Sequence, residues 1–158
     1  MHPYKKGRRF EYKVKKELEE QGYYVIRSAG SRGVFDLIAI KWDEVLGIQC
    51  KLGKVSEKEI KEMFEVGSKY GIIPVIVTKD GTKVIMHRTP SDEIEYKKPI
   101  VLNALYDPSD DTWNLSNEEL GIYGYGFSID VALLDAEICL LTLIKNDKNK
   151  LKEYVEVI

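Results

Sequence analysis

Gln49 and Lys51 stand two apart in Val45-Leu46-Gly47-Ile48-Gln49-Cys50-Lys51, whose alternation reads as a strand. Side chains alternate across a strand, so Gln49 and Lys51 share one face, while Ile48 and Cys50 share the apolar other face. An amide and an ammonium set among Leu46, Ile48 and Leu52 need a partner or a purpose, unless the strand is an edge whose polar face is wet. Asp36 sits where a loop containing Gly30 and Gly33 gives way to Leu37-Ile38-Ala39-Ile40, an apolar run of strand length. A carboxylate at the mouth of a buried strand either binds a cation, accepts hydrogen bonds or caps the loop. If the two strands pair as a hairpin, Asp36 and residues 49–51 meet at one end. Asp36, the Gln49 side-chain oxygen and the Cys50 backbone carbonyl then offer hard oxygen ligands of the kind Mg²⁺ prefers, with Lys51 beside them. Glu11 borders the apolar stripe of a preceding helix; it can hold a water beside such a metal, or pair with Lys15 on the helix flank.

The elements that must position these groups follow from periodicity. Phe10, Val14 and Leu18 recur every four residues, which predicts a helix over residues 8–21 that Gly22 ends. Tyr23 to Ile26 is β-rich, 37–40 reads as a buried strand, and Trp42-Asp43-Glu44 turns the chain into 45–51. Ser56 with Glu59 three residues on is a capping box, and it opens a helix that Gly71 follows. Residues 74–78 and 83–87 read as strands joined through Asp80-Gly81. The order is α-β-β-β-α-β-β, an α/β fold with a mixed sheet flanked by helices. Beyond Thr89-Pro90-Ser91 the reading is coarser. Residues 100–102 suit a strand, 107–111 an acidic loop, and Ser116 with Glu119 the cap of a short helical turn. Residues 137–145 are apolar enough for a buried strand or a helix, and periodicity does not choose. The division expected is a core over 1–88 and an acidic extension over 89–158 that packs on the core or forms an oligomer contact.

Among 158 residues, 44% are apolar and 32% charged, an ordinary composition with material for a core. No apolar run reaches the roughly 18 residues that span a bilayer, and none follows the basic start as a signal peptide requires. Cys50 and Cys139 lack C-x-x-C spacing and a nearby His, which argues against zinc and for a reducing cytoplasm. The net charge of −2 hides an asymmetry. Residues 1–88 hold 18 Lys and Arg against 12 Asp and Glu, and residues 89–158 hold 6 against 14. A basic half joined to an acidic half suits a protein that meets phosphates at one end; two solvated faces of unlike sign are the alternative.

Taken in order, these residues resemble the PD-(D/E)xK nucleases and, within them, the archaeal Holliday-junction resolvases. The resemblance runs from Tyr4-Lys5-Lys6-Gly7 through Phe10-Glu11, the string from Gly22 to Ser31, Asp36 to Ala39, Gln49-Cys50-Lys51 and Tyr70 to Val75, ending near Thr78. It implies a restriction-endonuclease-like core and a Mg²⁺- or Mn²⁺-dependent endonuclease acting on branched DNA. Asp36 and position 49 would bind metal, Lys51 would orient or activate the attacking water, and Glu11 would complete the site. Arg27 would hold a phosphate and Lys79 would match a basic position presented to DNA. Lys5, Lys6, Arg8, Arg9, Arg32 and Lys54 would add sequence-independent phosphate contacts. Paired cuts in opposed strands make a two-fold homodimer the natural assembly. Three features depart from the family pattern: Gln49 replaces the usual Glu, Tyr12 stands where an arginine is usual, and the tail from 89 has no identified counterpart. The alternatives are an Mrr-like or repair nuclease, and a DNA-binding protein that kept the fold without the activity.

Overall fold

The structure is a computed structural model that describes residues 3–28 and 33–158. It divides into two compact units, Met1–Thr82 and Lys83–Ile158.

The first unit opens with α1 (Pro3–Glu20), which starts five residues earlier than the apolar stripe predicts. The Lys- and Arg-rich lead has helix propensity but no apolar side chain to mark it. Val14 and Leu18 are buried. The helix ends in a Schellman arrangement: Tyr23 N–H donates to Leu18 O at 3.1 Å and Gly22 N–H to Glu19 O at 3.0 Å. Gly22 takes φ +95°, which side chains disfavour. Strands β1 (Tyr24–Arg27) and β2 (Leu37–Lys41) pair antiparallel, as do β2 and β3 (Glu44–Cys50). Trp42 at φ +54° makes the tight reversal between β2 and β3. β2 is not the fully buried strand expected: Leu37 and Ala39 are inaccessible, but Ile40 on the other face is exposed.

Helix α2 (Glu57–Tyr70) begins at the Ser56–Glu59 capping box and ends at Gly71 in the left-handed region, both as predicted. It leads into β4 (Ile73–Thr78), which runs parallel to β3 with Ile48 opposite Val75. The unit is therefore a mixed sheet in the order β1-β2-β3-β4, with α1 packed on β1, β2 and β3 and α2 on β4. β3 is central and its middle is sealed on both faces. Leu46 and Ile48 are inaccessible on one side, and Phe35 lies over Gly47 on the other.

Strand β5 (Gly81–Met86) carries the chain into the second unit. There β7 (Ile100–Asp107), β8 (Thr112–Asn117) and β9 (Ile122–Gly126) form an antiparallel meander. The helical turn expected at Ser116 is instead the end of β8, because residues 113–117 pair with β9 and 112–116 with β7. Residues 137–145 belong to α3 (Ile129–Asn146), which packs on β9 and β8. Its backbone lies so close to β9 that a Cβ on Gly124 would fall 2.2 Å from Ala132 O. A small sheet pairs β6 (Ile94–Tyr96) with β10 (Val155–Val157). Among the described residues no helix is long and apolar enough to cross a membrane.

Candidate metal centre

The hairpin of β2 and β3 brings Asp36 to the end of β3. Its backbone is clamped on both sides: Asp36 N–H donates to Ile48 O at 2.8 Å, and Asp36 O accepts from Ser28 N–H at 2.8 Å. Phe35, buried over Gly47, anchors the residue immediately before it. The Asp36 carboxylate accepts from Cys50 N–H at 2.9 Å. Burial raises its pKa, and the Cys50 N–H and the charges of Lys51 and Arg27 oppose that rise. A carboxylate held half-buried in this way could accept a cation.

Gln49 is oriented by α2. Its Nε2 donates to Glu59 Oε2 at 3.1 Å, and its Oε1 is buried with no hydrogen-bond partner. Buried carbonyl oxygens are ordinarily satisfied, so an orphaned one adjoining Asp36's bonding partner fits a metal ligand. Lys51 Nζ donates to the same Glu59 oxygen at 2.8 Å. Cys50 could offer a metal only its backbone carbonyl. Its thiol is pushed up to about 12 by burial and by the Asp36 and Glu11 carboxylates, so it is no nucleophile. Among the described residues no group of three or more His, Cys, Asp or Glu could hold a metal ion. The donors that fit are one carboxylate, one amide oxygen and the Cys50 carbonyl.

Glu11 and Arg27 form an ion pair at 3.0 Å, both largely buried. Arg27 also lies over the Tyr12 ring, 5.2 Å from its centroid, with Arg8 at 5.8 Å. Lys15 pairs with Glu19 and not with Glu11. Glu11, Arg27, Asp36, Cys50 and Lys51 are thus one electrostatic neighbourhood, as the pKa influences on Asp36 and Cys50 record. Lys6, Arg9 and Lys79 meet elsewhere in the first unit, lining a groove with Lys13 over a floor of Phe10, Leu52 and Val77. Lys5 and Lys54 are exposed. Arg32 lies outside the described residues. Sequence reasoning missed Glu59, which it read only as half of a capping box. It also missed the Phe35–Gly47 contact, whose one signal was a glycine inside a strand.

An α-β-β-β-α-β order, with an acid heading one strand of a hairpin and a Q-x-K pair at the end of the next, is consistent with a restriction-endonuclease-like fold. Residues 2–103 match the profile of the archaeal Holliday junction resolvase (Hjc) family, and the chain belongs to that family. The match reaches β7, past the Thr78 limit of the resemblance read from motifs. Crossover junction endodeoxyribonuclease Hjc of Methanocaldococcus jannaschii is 39% identical over 83 residues, 49% of this chain. The chain spans 62% of the length of that relative. In shape the chain is similar to Archaeoglobus fulgidus Hjc, a Holliday junction resolvase, at a TM-score of 0.42 and 22% identity. That likeness covers 62% of this chain and 84% of the other.

Proposed function

We propose that this chain is a divalent-metal-dependent endodeoxyribonuclease that cuts branched DNA, a four-way junction above all, as a homodimer in the cytoplasm. The observation that carries the reading is the partnerless Gln49 oxygen at the strand end that also holds Asp36 and Lys51. Bound Mg²⁺ or Mn²⁺ would supply Lewis-acid activation of the phosphodiester. Asp36, Gln49 Oε1 and the Cys50 carbonyl would hold it, and Glu11 would complete the site. Lys51 would orient the attacking water and offset charge that develops on the phosphate. Arg27 would grip a phosphate next to the scissile one. The two cysteines, both free, fit a reducing compartment.

The test is a labelled four-way junction against a matched duplex, with and without Mg²⁺ or Mn²⁺. Metal-dependent cutting of the junction alone is expected. Equal cutting of duplex moves the assignment to an Mrr-like or repair nuclease, and binding without cutting moves it to a DNA-binding module. The groove lined by Lys6, Arg9, Lys13 and Lys79 supports phosphate contacts. Lys5, Arg8, Arg32 and Lys54 extend that reading along the basic first half. Junction affinity should fall steeply with salt. Lys6→Ala or Arg9→Ala should each reduce the slope of log K against log[salt] by about 0.9; an unchanged slope in both removes that groove from the interface.

We place the nuclease core in residues 1–88 and the oligomer contact in the acidic extension, 89–158. Helix α3 supports this. One face is buried in its own unit, while Val131, Leu134 and Ile138 on the other are 46%, 48% and 63% exposed. With Leu141 they recur at three- and four-residue steps, the spacing of a helix-to-helix seam. A helix apolar on both faces is ordinarily covered on both. Sedimentation should show a dimer that Ile138→Lys converts to a folded monomer; a wild-type monomer at micromolar concentration would contradict the assembly.

A further inference from the structure

Position 49 poses a chemical problem that the hydrogen bonds around it solve. A carboxylate presents an oxygen to a cation whichever way it is turned. An amide does not: one end coordinates and the other repels. With Gln at 49, something must choose the end. The Nε2 of Gln49 donates to Glu59 Oε2 at 3.1 Å, which leaves Oε1 as the end that is buried and without a partner. Turned about, the amide oxygen would face a carboxylate that can donate nothing, and the NH₂ group would face the metal position. Glu59 is itself immobilised. Its other oxygen accepts the Ser56 backbone N–H at 3.2 Å, which holds the carboxylate in place, whereas the Ser56 hydroxyl accepts the Glu59 backbone N–H at 3.1 Å and only caps α2. The oxygen that orients Gln49 also accepts from Lys51 Nζ at 2.8 Å. One anchored side chain therefore contacts both Gln49, in β3, and Lys51, just past its end.

We propose that Glu59 is a positioning residue of this centre: it aims the Gln49 amide oxygen at the metal and holds the Lys51 ammonium beside it, supplying from a helix the negative charge that glutamine lacks. The inference rests on the nuclease reading, and it reaches the metal through Gln49 without making Glu59 a ligand. It differs from a capping role alone, because a cap has no reason to depend on which residue occupies position 49.

The experiment uses the full chain, with Mn²⁺ as the probe. Affinity is read by calorimetry on the protein alone and by the Mn²⁺ concentration for half-maximal junction cleavage. Glu59→Gln is the informative variant. Its amide oxygen can still accept from Ser56 N–H and keep the capping box, but its NH₂ replaces the acceptor that Gln49 and Lys51 used. Mn²⁺ affinity should weaken by about 10- to 100-fold, the usual loss when a group that orients a ligand is removed. Ser56→Ala should lower Tm and leave Mn²⁺ affinity as in the wild type. In the Gln49→Glu background the loss should disappear. Two carboxylates would then face each other, so adding Glu59→Gln should leave Mn²⁺ affinity unchanged or raise it. Equal weakening by Glu59→Gln in both backgrounds, or a loss in Ser56→Ala that matches it, overturns the proposal while the nuclease reading stands. A wild type that neither binds Mn²⁺ nor cuts DNA overturns both.

Discussion

Asp36→Asn should abolish metal-dependent cleavage and at the same time stabilise the metal-free protein. The two effects share one cause. The Asp36 carboxylate is half-buried at the end of β3, and among the described residues its hydrogen bond comes from Cys50 N–H, which an asparagine oxygen also accepts. Without a cation, ionisation there carries a desolvation penalty that the neutral amide avoids. With a cation, the carboxylate is the sole formal charge among the Asp36, Gln49 and Cys50 donors, so its loss should lower cleavage by at least about 10³-fold, the scale of losing a main electrostatic group. The melting temperature of the variant without metal should exceed that of the wild type. Mn²⁺ should raise the wild-type Tm, as any ligand of the native state does, and leave the variant where it was. Junction binding at fixed salt should persist, because the Lys and Arg phosphate contacts are untouched. Cleavage near the wild-type rate, or a variant less stable than the wild type without metal, would remove Asp36 from the metal site.

Gly47→Val should be among the most destabilising single changes in the first unit. A Cβ at Gly47 would lie 2.5 Å from the Phe35 ring, and Phe35 is only 7% exposed, so the ring would have to shift within the core. Overpacking a core typically destabilises by 1–3 kcal/mol, and a β-branched side chain against an aromatic ring should reach or exceed about 3 kcal/mol. The consequence extends to the site, because Phe35 precedes Asp36 and its displacement moves the carboxylate. Phe35→Ala alone should lose about 3–5 kcal/mol by opening a cavity. The double variant should lose less than the sum, since the valine fills part of the space the ring vacates. Urea midpoints for the three variants check this; additive losses, or a Gly47→Val midpoint near the wild type, would show that the ring does not hold the strand entrance.

The local elements were legible from sequence wherever one short-range cause was enough. Ser56 and Glu59 three apart specified the start of α2, and Gly71 its end. Alternation placed Gln49 and Lys51 on one face of β3, and the β2–β3 hairpin brought Asp36 to the same end. Short-range signals failed where pairing overrode them. Ser116 and Glu119 have the spacing of a capping box, but β7 and β9 claim the backbone of residues 112–117, and a ladder outweighs a cap. Residues 137–145 had no readable period because α3 is apolar on its exposed face as well as its buried one.

Spacing and alternation were enough to read the order of elements in the first unit, the residue types at the candidate site and the family to which they point. How those residues are held follows from packing. Phe35 covering Gly47, Arg27 pairing with Glu11, and the Glu59 carboxylate taking both Gln49 and Lys51 all join positions 8 to 16 apart, at spacings no helix or strand period selects. Lys6, Arg9, Lys13 and Lys79 come from the two ends of the unit to line one groove. Periodicity reports which face of an element is buried; which partner waits on that face depends on the packing of distant segments, and that is written only in three dimensions.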